Sequence, residues 1–168
     1  RCTMFNIRKI VLDGAILSFI ASLLLMVSLH LNPRIWLQDY PEEIRNRVPP
    51  KTGQEKQLSL IFGIPFLVLL VAVPFISTLA LKRQDGGDVS FLQLFLNAFG
   101  VAFAFNLVDL LLLDWLMFCT ITPKFVVIPG TEGMEEYRDY AYHFKASMIG
   151  TVLSIVAGLV IAGIVSFL

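Results

Sequence analysis

Asp109 carries the strongest chemical demand in this chain. It stands ten residues before Cys119 in the run Phe91–Cys119, which is otherwise mostly apolar. If that run crosses a bilayer as a helix, a rise of about 1.5 Å per residue puts the carboxyl roughly 15 Å from the helix end, near mid-membrane. An ionisable group at that depth costs about 2.5–3.5 kcal/mol on insertion scales, so it is expected to bind a cation or carry a proton. Asn106 lies one turn earlier on the same face. Asp114 lies five residues later, which on an α-helix turns it about 140° away from Asp109, so one pocket is not expected to include both.

His30 and His143 fall at helix ends on the same side as Asp114, together with Trp115 and Tyr140. If they converge, Asp109, Asn106, Asp114, Trp115, His30, Tyr140 and His143 outline a polar vestibule whose titratable groups lead to a buried acid. The alternative for Asp109 is a hydrogen bond to a hydroxyl on another helix, such as Ser77 or Thr78, that only fixes packing. Gln93 and Asn97 form a second polar patch suited to interhelical hydrogen bonds. Asp139 and His143, at i, i+4 on one helix face, could with Glu136 of the same face or with His30 ligate a divalent ion, although a surface carboxylate–histidine pair explains the same spacing.

Other chemistries lack their motifs. There is no Cys-x-x-Cys pair, His-Glu-x-x-His zinc motif, Gly-x-Ser-x-Gly elbow or Walker loop. Two histidines at helix ends are a poor set for haem, and no cofactor is expected. A formal net charge of zero gives no reason to expect a nucleic-acid partner.

The elements that must position these residues are four apolar runs: Ile10–Leu31, Leu58–Leu81, Phe91–Cys119 and Ala146–Leu168, the second and fourth without a charged residue. A bilayer core needs roughly 20 helical residues, and unpaired backbone amides are excluded from lipid, so each run is expected to be a spanning helix. Charged residues make up only 15% of the chain, too few to cover four such helices in water. The first run is too long for the apolar region of a signal peptide. The expected fold is all-α: a polytopic membrane protein with four helices in an up-down bundle and its two longer loops, Asn32–Gln57 and Thr120–Lys145, on one side.

The long-loop side carries eight cations against five on the short side (Arg1, Arg8, Lys9, Lys82 and Arg83), but the short segments are more basic per residue and hug the membrane, which favours cytoplasmic termini. Cys2 and Cys119 then lie on opposite faces and cannot form an intramolecular disulfide. Gly86–Gly87 is expected to turn the short connection. In the long loops, Pro41–Arg47 reads as a short helix with Asp39 or Tyr40 near its N-cap. Phe125–Ile128 is apolar but too short to span, and Thr131–Phe144 reads as a helix leading into the fourth span. The four tyrosines and two tryptophans gather on this side, as in an interfacial aromatic belt.

Small residues recur every fourth position in the last run: Ala146, Gly150, Ser154, Gly158, Ala162 and Ser166. In lipid such a stripe permits close backbone contact, and Gly14, Ser18 and Ser22 on the first helix are its expected partner, with a homodimer seam as the alternative. Pro65 and Pro74 are expected to bend the second helix. Three functions follow: passage of a small cation, proton or polar solute through a site at Asp109; an accessory role in a larger membrane complex; or an enzyme acting on a lipophilic substrate. The buried acid favours the first, in an assembly with copies of itself or with other membrane subunits, and the missing reaction motifs disfavour the last.

Overall fold

The computed structural model describes residues 6–84 and 88–168. Cys2 and the Gly86–Gly87 turn therefore lie outside the described residues. The described chain is helical and contains no strand. Four helices are long and apolar enough to cross a membrane: α1 (Ile7–Leu31), α3 (Gly53–Gln84), α4 (Phe91–Val108, continued by Asp109–Ile121) and α5 (Tyr140–Phe167). A short α2 (Glu42–Arg47) sits between α1 and α3.

Local chemistry sets the boundaries. The Asn6 side chain accepts the Lys9 amide and starts α1. Ser90 and Gln93 form a reciprocal capping box at the start of α4, so Gln93 serves its own helix end. Asp139 accepts the Tyr142 amide and caps α5. That cap corrects the expected Thr131–Phe144 helix: Glu135–Arg138 is a single 3-10 turn, Asp139 is non-helical (φ −80°, ψ 82°), and α5 starts at Tyr140. Glu136, Asp139 and His143 therefore do not share one helix face. Pro65 and Pro74 lie inside an α3 that runs unbroken through both.

The last helix does not pack as expected. A methyl group on Gly150 would overlap the Asn106 side chain, and one on Gly158 would meet Phe99 and Phe95 at 3.1–3.2 Å, so the small-residue stripe of α5 faces α4. Gly14 of the α1 set also faces α4, where an added Cβ would lie 2.6 Å from Ala104. Gly14 meets Ala104, Gly150 meets Asn106 and Gly158 meets Phe95 and Phe99, so small residues on α1 and α5 bring both backbones close to α4. Ser18, Ser154, Gly158 and Ala162 are buried in these contacts, Ser22 only partly.

At one end the two long loops fold together into a cap with its own core. Tyr40, Ile44, Val126, Ile128 and Tyr137 are buried there with Leu29 and Phe118 from the helix ends. The Tyr40 hydroxyl donates to the Val126 carbonyl (2.8 Å), and the Ile128 amide donates to the Tyr137 hydroxyl (2.9 Å). Burial raises the pKa of both phenols. Gly130 turns the second loop with φ +90°. The apolar Phe125–Ile128 stretch thus belongs to the cap core, as do two of the four tyrosines expected in an aromatic belt. Arg34 ties the first loop to α3 through Glu55 (2.6 Å) and to the Pro49 carbonyl (2.8 Å).

Candidate binding cavity

Beneath the cap lies a cavity of about 470 Å³, walled by all four long helices and by the Pro33–Asp39 turn. Its acids are Asp39, Asp109 and Asp114, and its other polar walls include Gln38, Ser59, Tyr142 and His143. Trp36, Tyr40, Phe66 and Phe118 supply aromatic surface. Asp109 is partly buried and, among the described residues, makes no hydrogen bond or ion pair with the protein.

Backbone geometry explains why Asp109 and Asp114 share this space. From Asp109 to Ile121 the fourth helix is wound as a π-helix, whose i→i+5 hydrogen bonds bring residues five apart nearly into line. The α-helical expectation of about 140° between the two acids is therefore corrected: Asp109, Leu113, Asp114, Met117 and Phe118 all face the cavity. The winding ends at Thr122, a left-handed residue (φ 45°) whose amide bonds the Met117 carbonyl.

His143, 4% exposed, presents Nδ1 to Asp114 Oδ1 at 3.0 Å. The carboxylate fixes the tautomer with the proton on Nδ1, which leaves Nε2 free to accept one. That Nε2 has no hydrogen-bond partner among the described residues. The pair thus sets a carboxylate and an imidazole side by side in the cavity wall.

Asp39 enters from the loop. Its side chain keeps open surface, yet the protein around the carboxyl pushes its pKa up from 3.8 to about 6. Burial is the main cause and Asp114 adds to it, while Lys51, Gln38 and Arg45 oppose it. Lys51 does not enter the acid cluster. Its ammonium donates to the Ile35 carbonyl (2.5 Å), Gln38 Oε1 (2.6 Å) and Ser59 Oγ (2.8 Å) at the rim.

Of the seven candidates named from the sequence, the structure brings Asp109, Asp114 and His143 to this cavity. Four lie elsewhere. Asn106 donates to the Ser147 carbonyl (3.1 Å) and to Thr151 Oγ1 (3.0 Å), joining α4 to α5. Trp115 donates to the Tyr140 carbonyl (3.3 Å), and the two rings form an outer aromatic pair. His30 is exposed, stacked on Phe125 with ring centroids 3.9 Å apart. Ser77 and Thr78 do not serve Asp109. They accept from Asn97 (2.9 and 3.1 Å), and Ser77 donates to Asp13, near the far end of the bundle. The described residues hold no cluster of three or more His, Cys, Asp or Glu placed to ligate a metal.

The loop contributors Gln38 and Asp39, and Tyr142 from the first turn of α5, were missed from sequence. One signal was available: an acid inside the apolar segment Ile35–Tyr40, next to a membrane-length helix, is in an unusual place for a solvated loop.

Compared with protein-family models, with curated proteins and with solved structures, the chain matches none of them.

Proposed function

We propose that the chain is a small multi-pass membrane protein that binds a cation, the proton included, in the cavity under its cap and passes it across the membrane. One observation supports this above all: Asp109 lines a cavity with two further acids and, among the described residues, makes no hydrogen bond or ion pair. A carboxyl kept at that depth for packing alone would be expected to have a bonded partner. Asp109 is the binding acid, Asp39 the acid at the entrance, and Asp114, held by His143, the third acid of the wall. The test is flux in reconstituted vesicles, under gradients of protons, of sodium and potassium, and of small organic ammonium ions. Asp109→Asn should abolish the flux while leaving the folded protein intact; equal flux in the two proteins would refute the reading.

A second reading has its own support. The apolar window of α3 is only 6% buried, against 28–33% for the other three long helices. Such a helix suits contact with a second copy or with another membrane subunit, so passage through an oligomer and an accessory role both remain compatible with it. Cross-linking through cysteines on α3 in native membranes separates them: self-links support the oligomer, and stoichiometric links to other chains support the accessory role.

A further inference from the structure

Resting on the cation-site reading, we propose that the ligand is an organic ammonium ion with an aromatic or branched apolar body, paired with Asp109, and not a bare inorganic cation. Size is the first argument. A volume of about 470 Å³ falls in the range of small-molecule pockets, about 300–1,000 Å³, and far exceeds what a dehydrated metal ion fills. The second is the wall. Inorganic ions need several oxygens close together to replace their water. Around Asp109 the walls offer Leu25, Phe66, Leu113 and Met117 instead, and the acids do not converge into a metal-ligating group among the described residues.

Charge and aromatic surface give the third argument. Three acids face one histidine in the cavity, and the one nearby lysine has its ammonium engaged by rim oxygens. A cation beside Trp36, Phe66 and Tyr142 gains from their negative faces as well as from the carboxylate. Two polar groups of its lining have no hydrogen-bond partner among the described residues: His143 Nε2, on a side chain 4% exposed, and the half-buried Asp109 carboxyl. The rim itself shows that its oxygens hold an ammonium, because Lys51 supplies one there.

Trp36 lines the cavity and Trp115 does not, and the chain has only these two tryptophans. Trp115→Phe therefore leaves a single fluorophore at the site. The full chain with this change is placed in nanodiscs of zwitterionic lipid and titrated with benzyltriethylammonium, with its uncharged carbon isostere, and with sodium and magnesium. The expected result is saturable quenching by the ammonium alone, weakened about tenfold or more by Asp109→Asn. Equal quenching by the carbon isostere, or full displacement of the ammonium by millimolar sodium or magnesium, would overturn the proposal. If the ammonium does not bind while Asp109→Asn still abolishes ion flux in vesicles, the ligand class falls and the cation-site reading stands. If Asp109→Asn changes neither binding nor flux, both fall.

Discussion

His143 Nδ1 lies 3.0 Å from Asp114 Oδ1, joining the first turn of α5 to the π-helical part of α4. The contact closes one wall of the cavity and leaves Nε2 as the only ring nitrogen without a partner. A hydrogen bond of this kind to a charged group contributes about 1.5–3 kcal/mol. His143→Gln and Asp114→Asn should each lower the thermal midpoint. The double variant should lose less than the two single losses combined, as a double-mutant cycle in detergent would read. Additive losses would show that the two side chains act independently.

The α4–α5 interface predicts a graded glycine series. Gly150→Ala drives a methyl group into the Asn106 amide and should cost about 1–3 kcal/mol through displaced packing and lost bonds to Ser147 and Thr151. Gly158→Ala brings its methyl group to 3.1–3.2 Å from Phe99 and Phe95, closer than ordinary contact but without the overlap at Gly150, and should cost less. Gly163 has open space, so its alanine variant should be neutral or gain up to about 1 kcal/mol from helix propensity. Thermal midpoints in one detergent give the order, and a Gly163→Ala loss larger than that of Gly150→Ala would contradict this packing.

Two long-range hydroxyl bonds hold the cap at Tyr40: its own hydroxyl donates to the Val126 carbonyl, and the Tyr142 hydroxyl donates to the Tyr40 carbonyl (3.1 Å). Tyr40→Phe leaves the ring packed but removes the donor to the Val126 carbonyl inside the cap core. A buried carbonyl left without its donor costs about 1–3 kcal/mol. Hydrogen exchange should quicken first in residues 33–48 and 123–138, with the centres of the long helices protected as before. Uniform loss of protection would mean that the cap does not fold as its own unit.

Asp39 predicts a pH dependence with a definite sign. Its folded pKa of about 6 lies above the ordinary 3.8, so the folded state takes up the proton more readily than the unfolded chain. Its contribution to stability is present below about pH 4 and is lost as pH rises through 6. Cation affinity should run the other way, falling on acidification through pH 6 as the entrance charge disappears. The charged groups acting on Asp39 are Lys51 and Arg45 from the cap side and Asp114 and Asp109 from the helices. Asp39→Asn should flatten the affinity profile between pH 5 and 7; an unchanged profile would remove Asp39 from the entrance.

The spanning helices were legible because uninterrupted apolar length is a direct consequence of the bilayer's thickness. Asp109 stood out for the same reason. What sequence did not reveal were features set by tertiary contact. The π-helical winding after Val108 has no marker in residue type, yet it alone places Asp114 beside Asp109. The partner of the α5 stripe was misread because small residues mark a close contact without naming the opposing helix. Tyr40 and Tyr137 looked like belt residues because burial in a loop cap and residence at an interface select the same amphipathic ring. The α5 start was legible in principle: Asp139 three residues before Tyr142 is an N-cap pattern, obscured by the acidic and aromatic residues preceding it.

Solvent access to Asp109 tests the account most directly. Asp109→Cys, in a background with Cys2 and Cys119 replaced, is treated in sealed vesicles with membrane-impermeant methanethiosulfonates, one cationic and one anionic. Reaction is predicted only from the side bearing the loop cap, and faster with the cationic reagent because Asp39 and Asp114 still charge the cavity. A folded variant that resists both reagents from both sides would contradict the cavity, and with it the role given to this acid.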